Sequence, residues 1–238
     1  MSYTKNEKIV VSIIQPALFP WLGYFDIINK SDFFIFFDNV KFEKRNWQMR
    51  NKLKIISEQN EKETWISLPT KEISQKTLIK DALIDNTKNW KSKHMTMFRS
   101  NYGKNVNEIK FLIEMYEKNW DYISDFNIEF ITKCSQYLQI DTKFVKASSL
   151  NVDGKRSQLL LNICKKLNAT EYLSGPKAKT YLDADKQLFE NENIKITYHD
   201  YKHPIYNQKG NLFIEKLSIL DLLFNEKEKS REYFQFNK

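Results

Sequence analysis

Near its start the sequence reads Ile9-Val-Val-Ser-Ile-Ile14, then Trp21-Leu-Gly-Tyr-Phe-Asp-Ile-Ile28, then Phe33-Phe-Ile-Phe-Phe37. The first and third runs are short and continuously apolar, as strands buried on both faces are. The second run has helical character and follows Pro16 and Pro20. Strand, helix and strand in this succession predict a βαβ unit with its two strands parallel. Ligands are then expected at the carboxyl ends of those strands.

The middle of the chain carries apolar residues at helical spacing. The segments concerned are 90–99, 107–119 and 125–138. In the second, Ile109, Leu112, Ile113 and Tyr116 fall on one helical face. This part of the chain is therefore interpreted as a helical insertion.

Strand-like segments stand on both sides of the insertion. The predicted strands are 64–68, 143–146, 172–173 and 194–198, and the predicted helices start at 154 or cover 179–189 and 214–224. The pattern predicts an α/β fold with a Rossmann-like (HUP-like), mainly parallel sheet. We expect an N-terminal α/β half over 1–85, a helical insertion over 86–140, and a C-terminal α/β half over 141–238 that completes the same domain.

Composition narrows the class of protein. The 238 residues are 41% hydrophobic and 29% charged, an ordinary globular balance. The net charge is +8, but positive and negative residues are interspersed along the chain. A nucleic-acid interface, which concentrates positive charge on one stripe or helix, is therefore not expected. The net charge is compatible either with a lysine-rich surface or with a site for an anionic ligand. The aromatic fraction of 14% leaves tyrosine and tryptophan to stack on ligands.

Cysteine usage and hydropathy indicate a cytoplasmic protein. Cys134 and Cys164 stand far apart on predicted helices, which excludes a disulfide framework and favours buried thiols. No apolar run approaches membrane-spanning length. No spacing suits a metal, and no glycine-rich phosphate loop or nucleophile elbow is present. We therefore expect no bound metal, while the oligomeric state is left open.

Glycine and proline mark three loops that follow predicted strands. The first loop is Gln15-Pro-Ala-Leu-Phe-Pro-Trp-Leu-Gly-Tyr24. Its Trp21-Leu-Gly-Tyr24 has the spacing of the His-x-Gly-His element of nucleotidyltransferases, but both histidines are absent. The analogy therefore extends to the fold alone. Gln15, Trp21 and Tyr24 are the candidate ligand-binding residues of this loop.

The second loop places an acid beside arginines. Asp38 follows a predicted strand, where it either binds a ligand or caps the turn that follows it. Arginine side chains can bind phosphate or carboxylate with two hydrogen bonds, and an indole between them offers a stacking face. The candidate residues here are Asp38, Arg45, Asn46, Trp47, Arg50 and Asn51.

The third loop combines Ser174-Gly-Pro-Lys177 with His203 and the residues after it. Ser174, Gly175 and Lys177 can bind an anion at the start of a helix. His203 precedes Pro204 in a loop and is a candidate general base near neutral pH. His199 alternates with core positions of the preceding strand, so a structural role is expected for it at least as much as a catalytic one. His94 is predicted to be structural.

Several motifs together resemble those of one known family. They are Gln15-Pro16, Phe19-Pro-Trp-Leu-Gly-Tyr-Phe25, Asp32, Asp38, Arg45-Asn-Trp47, Arg50-Asn51, Tyr172-Leu-Ser-Gly175, Tyr181-Leu182, Tyr206-Asn-Gln208 and Leu217-Ser-Ile-Leu-Asp-Leu-Leu-Phe-Asn225. By these motifs, which span nearly the whole chain, the protein is similar to the WbqC-like proteins of bacterial surface-polysaccharide gene clusters. One departure is Glu226, where many members carry glycine.

The resemblance implies a sugar N-acyltransferase for O-antigen lipopolysaccharide, capsule or flagellin glycan. Such an enzyme transfers an acyl group, for example glycyl, to the amine of a nucleotide-linked amino sugar. The donor is coenzyme A or an acyl carrier protein thioester. The base is then His203 or Asp38, and the oxyanion donor is Asn51, Gln15 or a backbone amide after Gly175.

The remaining candidates would bind the sugar nucleotide. Its diphosphate would be bound by Arg45, Arg50 and Lys177. Its base or sugar would stack on Trp21, Tyr24 or Trp47. Tyr206 and Gln208 belong to the same candidate set. Two other functions stay open: an ATP-dependent amide ligase on a HUP-like fold, and a non-catalytic protein that binds a nucleotide sugar or a carrier protein.

Overall fold

The computed structural model describes residues 8–57 and 60–234 and is built around a five-stranded sheet. The strands are β1 (Val10–Ile14), β2 (Phe33–Phe36), β3 (Arg50–Ser57), β4 (Asn60–Ser67), β5 (Lys143–Lys146), β6 (Glu171–Ser174) and β7 (Lys195–Tyr198). Five of them form one sheet in the order β5-β2-β1-β6-β7, and every neighbouring pair is parallel. The winding direction reverses between β1 and β6, where α/β sheets open a ligand crevice.

Helices cover both faces of this sheet. They are α1 (Leu22–Asn29), α2 (Trp90–Tyr102), α3 (Lys110–Glu117), α4 (Ile123–Tyr137), α5 (Ser157–Lys166), α6 (Lys179–Ala184), α7 (Lys186–Glu190) and α8 (Ile219–Glu226). Phe34 and Phe36 pack on the face that carries α1, whereas Val11 and Ile35 pack on the face that carries α5. The predicted α/β class with a mainly parallel sheet is confirmed.

The first βαβ unit forms as its sequence predicts. Val11 of β1 lies opposite Phe33 of β2, and both strands end within one residue of their predicted limits. All eight residues of α1 are buried, because this helix is covered by the sheet on one side and by later elements on the other. Burying a large apolar side chain such as Leu22, Phe25 or Ile28 contributes roughly 1.5–3 kcal/mol, so packing stabilises α1.

An antiparallel hairpin of β3 and β4 precedes the helical part. The sequence predicted only a strand over 64–68, so the hairpin was largely missed. Its strands are rich in charged residues; Asn51 and Leu53 are buried while Lys52 between them points outward. That alternation is a strand signal, yet the polar residues hide the apolar face.

The predicted helical middle is confirmed by α2, α3 and α4. These helices enclose Phe19, which projects from the loop after β1. Its ring lies 6.2 Å from Phe98, 5.7 Å from Phe126 and 4.8 Å from Phe130. The β1 loop is therefore anchored in the core that the middle helices build.

The last helix starts later than the sequence predicted. The expected helix over 214–224 begins only at Ile219. Ser218 caps it, since its hydroxyl oxygen accepts a hydrogen bond from the Leu220 amide at 3.2 Å. The segment between β7 and this cap lies across the start of α1 without a helix or strand of its own.

Both cysteines are buried, as predicted. Cys134 lies in α4 and Cys164 in α5, and burial raises the pKa of both thiols, that of Cys164 to about 12. Thiols with such pKa values stay protonated at neutral pH and are poor nucleophiles. In the described part of the chain, every helix is too short or too polar to cross a bilayer.

Candidate functional site

The loop after β1 stands at the crevice between β1 and β6 and is pinned by side chains from elsewhere. The Asn51 amide donates to the carbonyl oxygens of Leu18 at 3.0 Å and Phe19 at 2.8 Å. The Leu18 amide donates to the Trp47 carbonyl at 2.8 Å. Phe19 has φ of +43°, a strained value for a non-glycine residue. Asn51 therefore shapes this loop, with both amide hydrogens used.

Gln15 stands at the carboxyl end of β1 among buried amides. Its side-chain oxygen accepts from the Gln48 amide at 2.5 Å, and its backbone oxygen accepts from the Tyr24 hydroxyl at 3.0 Å. Asn127 donates to the Gln48 backbone oxygen at 2.8 Å. Within the described residues, the side-chain oxygens of Gln48 and Asn127 are buried without a hydrogen-bond partner. Buried orphan acceptors of this kind are rare and mark a strained or ligand-related place.

A buried carboxylate and a histidine meet at the same edge of the sheet. Asp26 comes from α1 and is 1% exposed; His199 directly follows β7 and is 8% exposed. Nε2 of His199 lies 2.5 Å from Oδ2 of Asp26, and Lys30 Nζ lies 2.7 Å from the same oxygen. The His199 amide also donates to the Ser174 carbonyl at 2.8 Å, which ties the imidazole to the end of β6.

Charge and hydrogen bonding fix the tautomer of this pair. Burial raises the pKa of Asp26, but the hydrogen bonds from His199 and Lys30 outweigh burial, so the pKa lies below its ordinary value. Asp26 is therefore an anion that only accepts hydrogen bonds, and Nε2 of His199 carries the proton. Nδ1 then has a lone pair and makes no hydrogen bond to the described residues. A carboxylate that orients an imidazole in this way is the arrangement of a general base.

Aromatic rings continue from this pair along the start of α1. Tyr201 stacks on His199 at 5.8 Å and meets the edge of Trp21 at 5.2 Å. His203 stacks on Trp21 at 6.4 Å. The predicted residues Trp21 and His203 therefore lie together beside the β1 loop, one ring away from His199.

His203 has a less suitable geometry for a base. Its Nε2 accepts a hydrogen bond from the Lys216 amide at 3.4 Å, so the proton of the neutral ring is on Nδ1. This Nδ1 is buried without a partner among the described residues. Burial lowers the pKa of His203, which keeps the ring neutral. The lone pair that a base needs is thus occupied by a backbone amide.

Asp38 binds a neighbouring segment of the chain. Its Oδ1 accepts from the Ser148 amide at 2.9 Å, and its Oδ2 accepts from the Ser148 hydroxyl at 2.6 Å. The carboxylate is 1% exposed. The contacts differ from the predicted capping of the turn that follows Asp38, because both carboxylate oxygens hold the distant turn after β5.

The loop after β6 leaves the strand next to β1. Ser174 is buried, whereas Lys177 is exposed on the short helical turn Pro176–Ala178. Pro176 has no amide hydrogen, so the first free donor after Gly175 is the Lys177 backbone. Because β6 pairs with β1, this loop and Gln15 lie on the two sides of the crevice.

The predicted arginine cluster lies at the start of the hairpin and in the loop before it. Arg45 is exposed with φ of +60°, and the Asn46 amide donates to Glu43 at 2.9 Å. Trp47 contacts Trp65 of β4 at 5.9 Å between ring centroids. The Arg50 guanidinium lies 4.2 Å from the Trp65 ring centroid. Trp47 and Arg50 therefore meet around an exposed tryptophan that the sequence did not single out.

Tyr206 and Gln208 belong to a buried polar network around Asp221. The hydroxyls of Tyr206 and Tyr102 donate to Asp221 at 2.8 and 2.6 Å. Gln208 donates to the Tyr206 hydroxyl at 3.0 Å and to the Ile214 carbonyl at 2.8 Å. Burial raises the pKa of Asp221. These contacts fasten the segment after β7 to α2 and α8.

His94 has the structural environment that the sequence predicted. The Tyr116 hydroxyl lies 2.7 Å from its Nδ1, and its Nε2 donates to the Ser67 carbonyl at 2.9 Å. Burial lowers the pKa of His94 to about 4. Both ring nitrogens are used by neutral groups, so none is left for chemistry.

Comparison with known proteins agrees with this architecture. The model of the WbqC-like protein family matches residues 15–233, which include the β1 loop, His199 and α8. The chain belongs to the WbqC-like protein family. The chain is also similar to "Uncharacterized protein Rv1507c" of Mycobacterium tuberculosis (strain ATCC 25618 / H37Rv), with 32% identity over 234 residues, which cover 95% of this chain and 97% of the relative. No solved structure matches this WbqC-like chain.

Asp26 is the residue of this WbqC-like site that sequence reasoning missed. Its partner His199 is 173 residues away, so no local spacing joins them. One signal was present: Asp26 is the single charged residue within the otherwise uncharged run Leu22-Gly-Tyr-Phe-Asp-Ile-Ile-Asn29. A charge in a helix that is buried on all sides needs a partner.

Proposed function

We propose that this WbqC-like protein is a cytoplasmic N-acyltransferase that acts on the amine of a nucleotide-linked amino sugar during surface-polysaccharide or flagellin-glycan synthesis. The transferred group is a short acyl or aminoacyl group such as glycyl. The observation that carries the proposal is the Asp26–His199 pair at the carboxyl edge of the sheet, with its free Nδ1. An amine that attacks a carbonyl must lose a proton, and this pair supplies an acceptor for it.

The proposed reaction forms a bond between the amine nitrogen and the acyl carbonyl carbon, and it breaks the carbon–sulfur bond of a thioester. Nδ1 of His199 accepts the proton from the amine and then passes it to the departing thiolate. Asp26 keeps Nε2–H of His199 in place and stabilises the imidazolium that forms. Products are the N-acylated sugar nucleotide and the free thiol of coenzyme A or of a carrier protein.

The same edge offers groups for the negative charge that develops on the carbonyl oxygen. In the proposal this oxygen accepts a hydrogen bond from the side-chain amide of Gln15 or from the backbone of Lys177. The Lys177 side chain is exposed in the loop after β6 and would attract the anionic sugar nucleotide. Asn51 is left out of this role, since its amide hydrogens hold the Leu18 and Phe19 carbonyls.

The sheet order favours one second candidate, an ATP-dependent amide ligase. Counted along the chain, the five parallel strands lie in the order 3-2-1-4-5, as in nucleotide-binding folds with a crevice at the reversal point. A ligase would form an acyl-adenylate and release pyrophosphate before the amine attacks. The Asp26–His199 pair would serve the amine step in either reaction.

The test incubates the full chain with acetyl-coenzyme A or glycyl-coenzyme A and with a UDP- or dTDP-linked amino sugar. A parallel set replaces the thioester with glycine and ATP. Mass spectrometry detects the acylated sugar nucleotide, and colour assays follow free thiol and pyrophosphate. We expect acylated product with equimolar thiol and no need for ATP. Product that forms only with ATP and releases pyrophosphate would establish the ligase, and sugar-nucleotide binding without product in either set would establish a binding protein.

A further inference from the structure

A groove of about 270 Å³ lies between the end of β4 and the start of α2, apart from the Asp26–His199 pair. Its lining residues are Trp65, Ile66, Ser67, Pro69, Lys88, Trp90, Lys93, His94 and Met97. Two indoles and several apolar side chains form the walls. The groove is small for a whole drug-sized ligand, which suits one part of a larger molecule.

The aromatic wall of the groove is open to solvent. Trp65 is 43% exposed, and Trp47 beside it is 47% exposed. Large aromatic side chains are costly to leave in water, since each can bury well over 100 Å². An indole face is a platform on which a planar base can stack. The exposure therefore points to a ligand with a planar ring.

The charges around the groove are positive. Lys88 and Lys93 line it, both are exposed, and neither forms a salt bridge within residues 8–57 and 60–234. The guanidinium of Arg50 lies over the Trp65 ring at 4.2 Å. The Lys52 ammonium group lies 5.1 Å from the same ring and is paired with Glu63. Aspartate and glutamate are missing from the lining. Asp85 lies near Lys88, where the positive charge helps to lower the pKa of this carboxyl, but it is not part of the lining. Two lysines and no carboxylate in the lining itself favour an anionic ligand.

We propose that this groove, bounded by Trp65, Lys88 and Lys93, binds a nucleoside diphosphate. The planar base stacks on the exposed indole of Trp65, and the diphosphate lies between the ammonium groups of Lys88 and Lys93. The two parts match because a nucleoside diphosphate joins one planar ring to a compact group of negative charges. The concave shape, closed below by His94, favours a small molecule over a membrane surface.

This site is connected to the loop at the crevice through one side chain. His94 in the floor of the groove meets the edge of Phe19 at 6.3 Å, and Phe19 belongs to the loop after β1. The inference deepens the proposed function, on which the choice of substrate part rests. Two substrates of that reaction contain a nucleoside diphosphate: the sugar nucleotide contains a UDP or dTDP part, and coenzyme A contains an ADP part. The shared chemistry is the same in both.

Isothermal titration of the full chain with UDP, dTDP and ADP tests the site without any turnover. We expect one base to bind best, and that preference tells whether the sugar nucleotide or coenzyme A is the source. Replacing Lys88 and Lys93 together by alanine should weaken binding about tenfold or more, since both ammonium groups that face the diphosphate are removed. Trp65→Ala should weaken binding about fivefold to a hundredfold through lost stacking.

The matched control replaces Lys104 and Lys110 by alanine. Both lysines are exposed and lie outside the groove, and replacing them removes the same charge as replacing Lys88 and Lys93. This variant should bind as the unchanged protein does, within about twofold, because distant charges are screened by salt. Equal weakening in both double variants, or binding that Trp65→Ala leaves unchanged, would overturn the site.

A last experiment measures binding of the chain and of Trp65→Ala to vesicles that contain phosphatidylglycerol. Vesicle binding that depends on Trp65 while the three nucleotides fail to bind would assign this surface to a membrane and contradict the proposal. Binding is measured in the absence of an acyl donor. A chain that binds a nucleoside diphosphate but makes no acylated product therefore refutes the reaction and keeps the site, whereas product formation with unaltered binding in the variants refutes the site alone.

Discussion

His94 and His199 are both buried, and each lies beside the end of a β-strand, β4 for His94 and β7 for His199. They differ in the charge of the groups that their ring nitrogens contact. His94 lies between two neutral groups, the Tyr116 hydroxyl and the Ser67 carbonyl, and uses both ring nitrogens. His199 meets the anionic Asp26 through Nε2 alone. His94 is 4% exposed and His199 is 8% exposed, so the two residues do not differ in their access to solvent.

The difference teaches how a fold assigns roles to the same residue type. Neutral partners leave the cost of burying an imidazolium uncompensated, so the pKa of His94 falls to about 4 and the ring stays neutral. His199 instead contacts a carboxylate through Nε2 and makes no hydrogen bond through Nδ1 to the described residues. In the proposed reaction His94 therefore has a packing role and His199 transfers the proton.

The largest expected effect separates the two histidines by activity. His199→Asn should lower kcat for acyl transfer by about 10²–10⁴-fold, since removal of a general base costs rate of that order. His94→Gln should keep kcat within about twofold, because glutamine can still donate to the Ser67 carbonyl and accept from Tyr116. Initial rates by mass spectrometry, with circular dichroism to check folding, measure both. Equal losses in the two variants would remove the distinction.

The next effect is on stability and follows from the low pKa of His94. Its folded pKa of about 4 lies below the unfolded value of about 6.5, so the unfolded chain binds more protons between these pH values. The free energy of unfolding should therefore fall as pH decreases from about 6.5 to 4, by about 3 kcal/mol from this residue. Urea unfolding across this range measures it.

His94→Gln is the control for that titration. The variant should lack the His94 part of the pH dependence, so its curve should be flatter over the same window. His203, whose pKa is also lowered by burial, contributes the same sign in both proteins and cancels in the difference. Parallel curves for the variant and the unchanged chain would show that His94 is protonated equally in both states.

The smallest effect concerns the neutral partner of His94. Tyr116→Phe removes the hydroxyl and leaves Nδ1 of His94 without its hydrogen bond, which should cost about 1 kcal/mol of stability. Acyl-transfer rates should not change. Tyr122→Phe, at a tyrosine that is 41% exposed, should cost close to nothing in the same urea experiment. A loss of activity in Tyr116→Phe would extend the catalytic machinery to α3.

The sequence predicts the central sheet well because its strands are buried on both faces. Such strands appear as unbroken apolar runs, as in β1 and β2, and the βαβ rule then supplies their direction. The hairpin was largely missed because charged residues in 50–57 and 60–67 obscure the alternation of apolar and polar residues that indicates a strand. The start of α8 was misplaced because apolar residues before Ser218 pack as an irregular segment, and the cap is set by one hydroxyl.

The place of the candidate site was easier to predict from the sequence than the contacts of its residues. Gln15, Trp21 and the loop after β6 were singled out because glycine and proline follow strand ends, and the structure places these loops at one edge of the sheet. Their hydrogen bonds cannot be read from spacing: Asp38 pairs with Ser148, 110 residues further along the chain. Asp26 and His199 likewise come together only through the packing of α1 against the end of β7.

The most direct test of the central claim is the pH dependence of kcat/KM for Asp26→Asn beside the unchanged chain. Asparagine keeps the shape and accepts the Nε2 hydrogen bond, but it no longer stabilises the imidazolium. We predict a rate about 10–100-fold lower and an acid limb of the profile that moves to lower pH, since the neutral base persists further into acid. A profile whose acid limb stays in place would contradict the assignment of Asp26 and His199 as the proton-transfer pair.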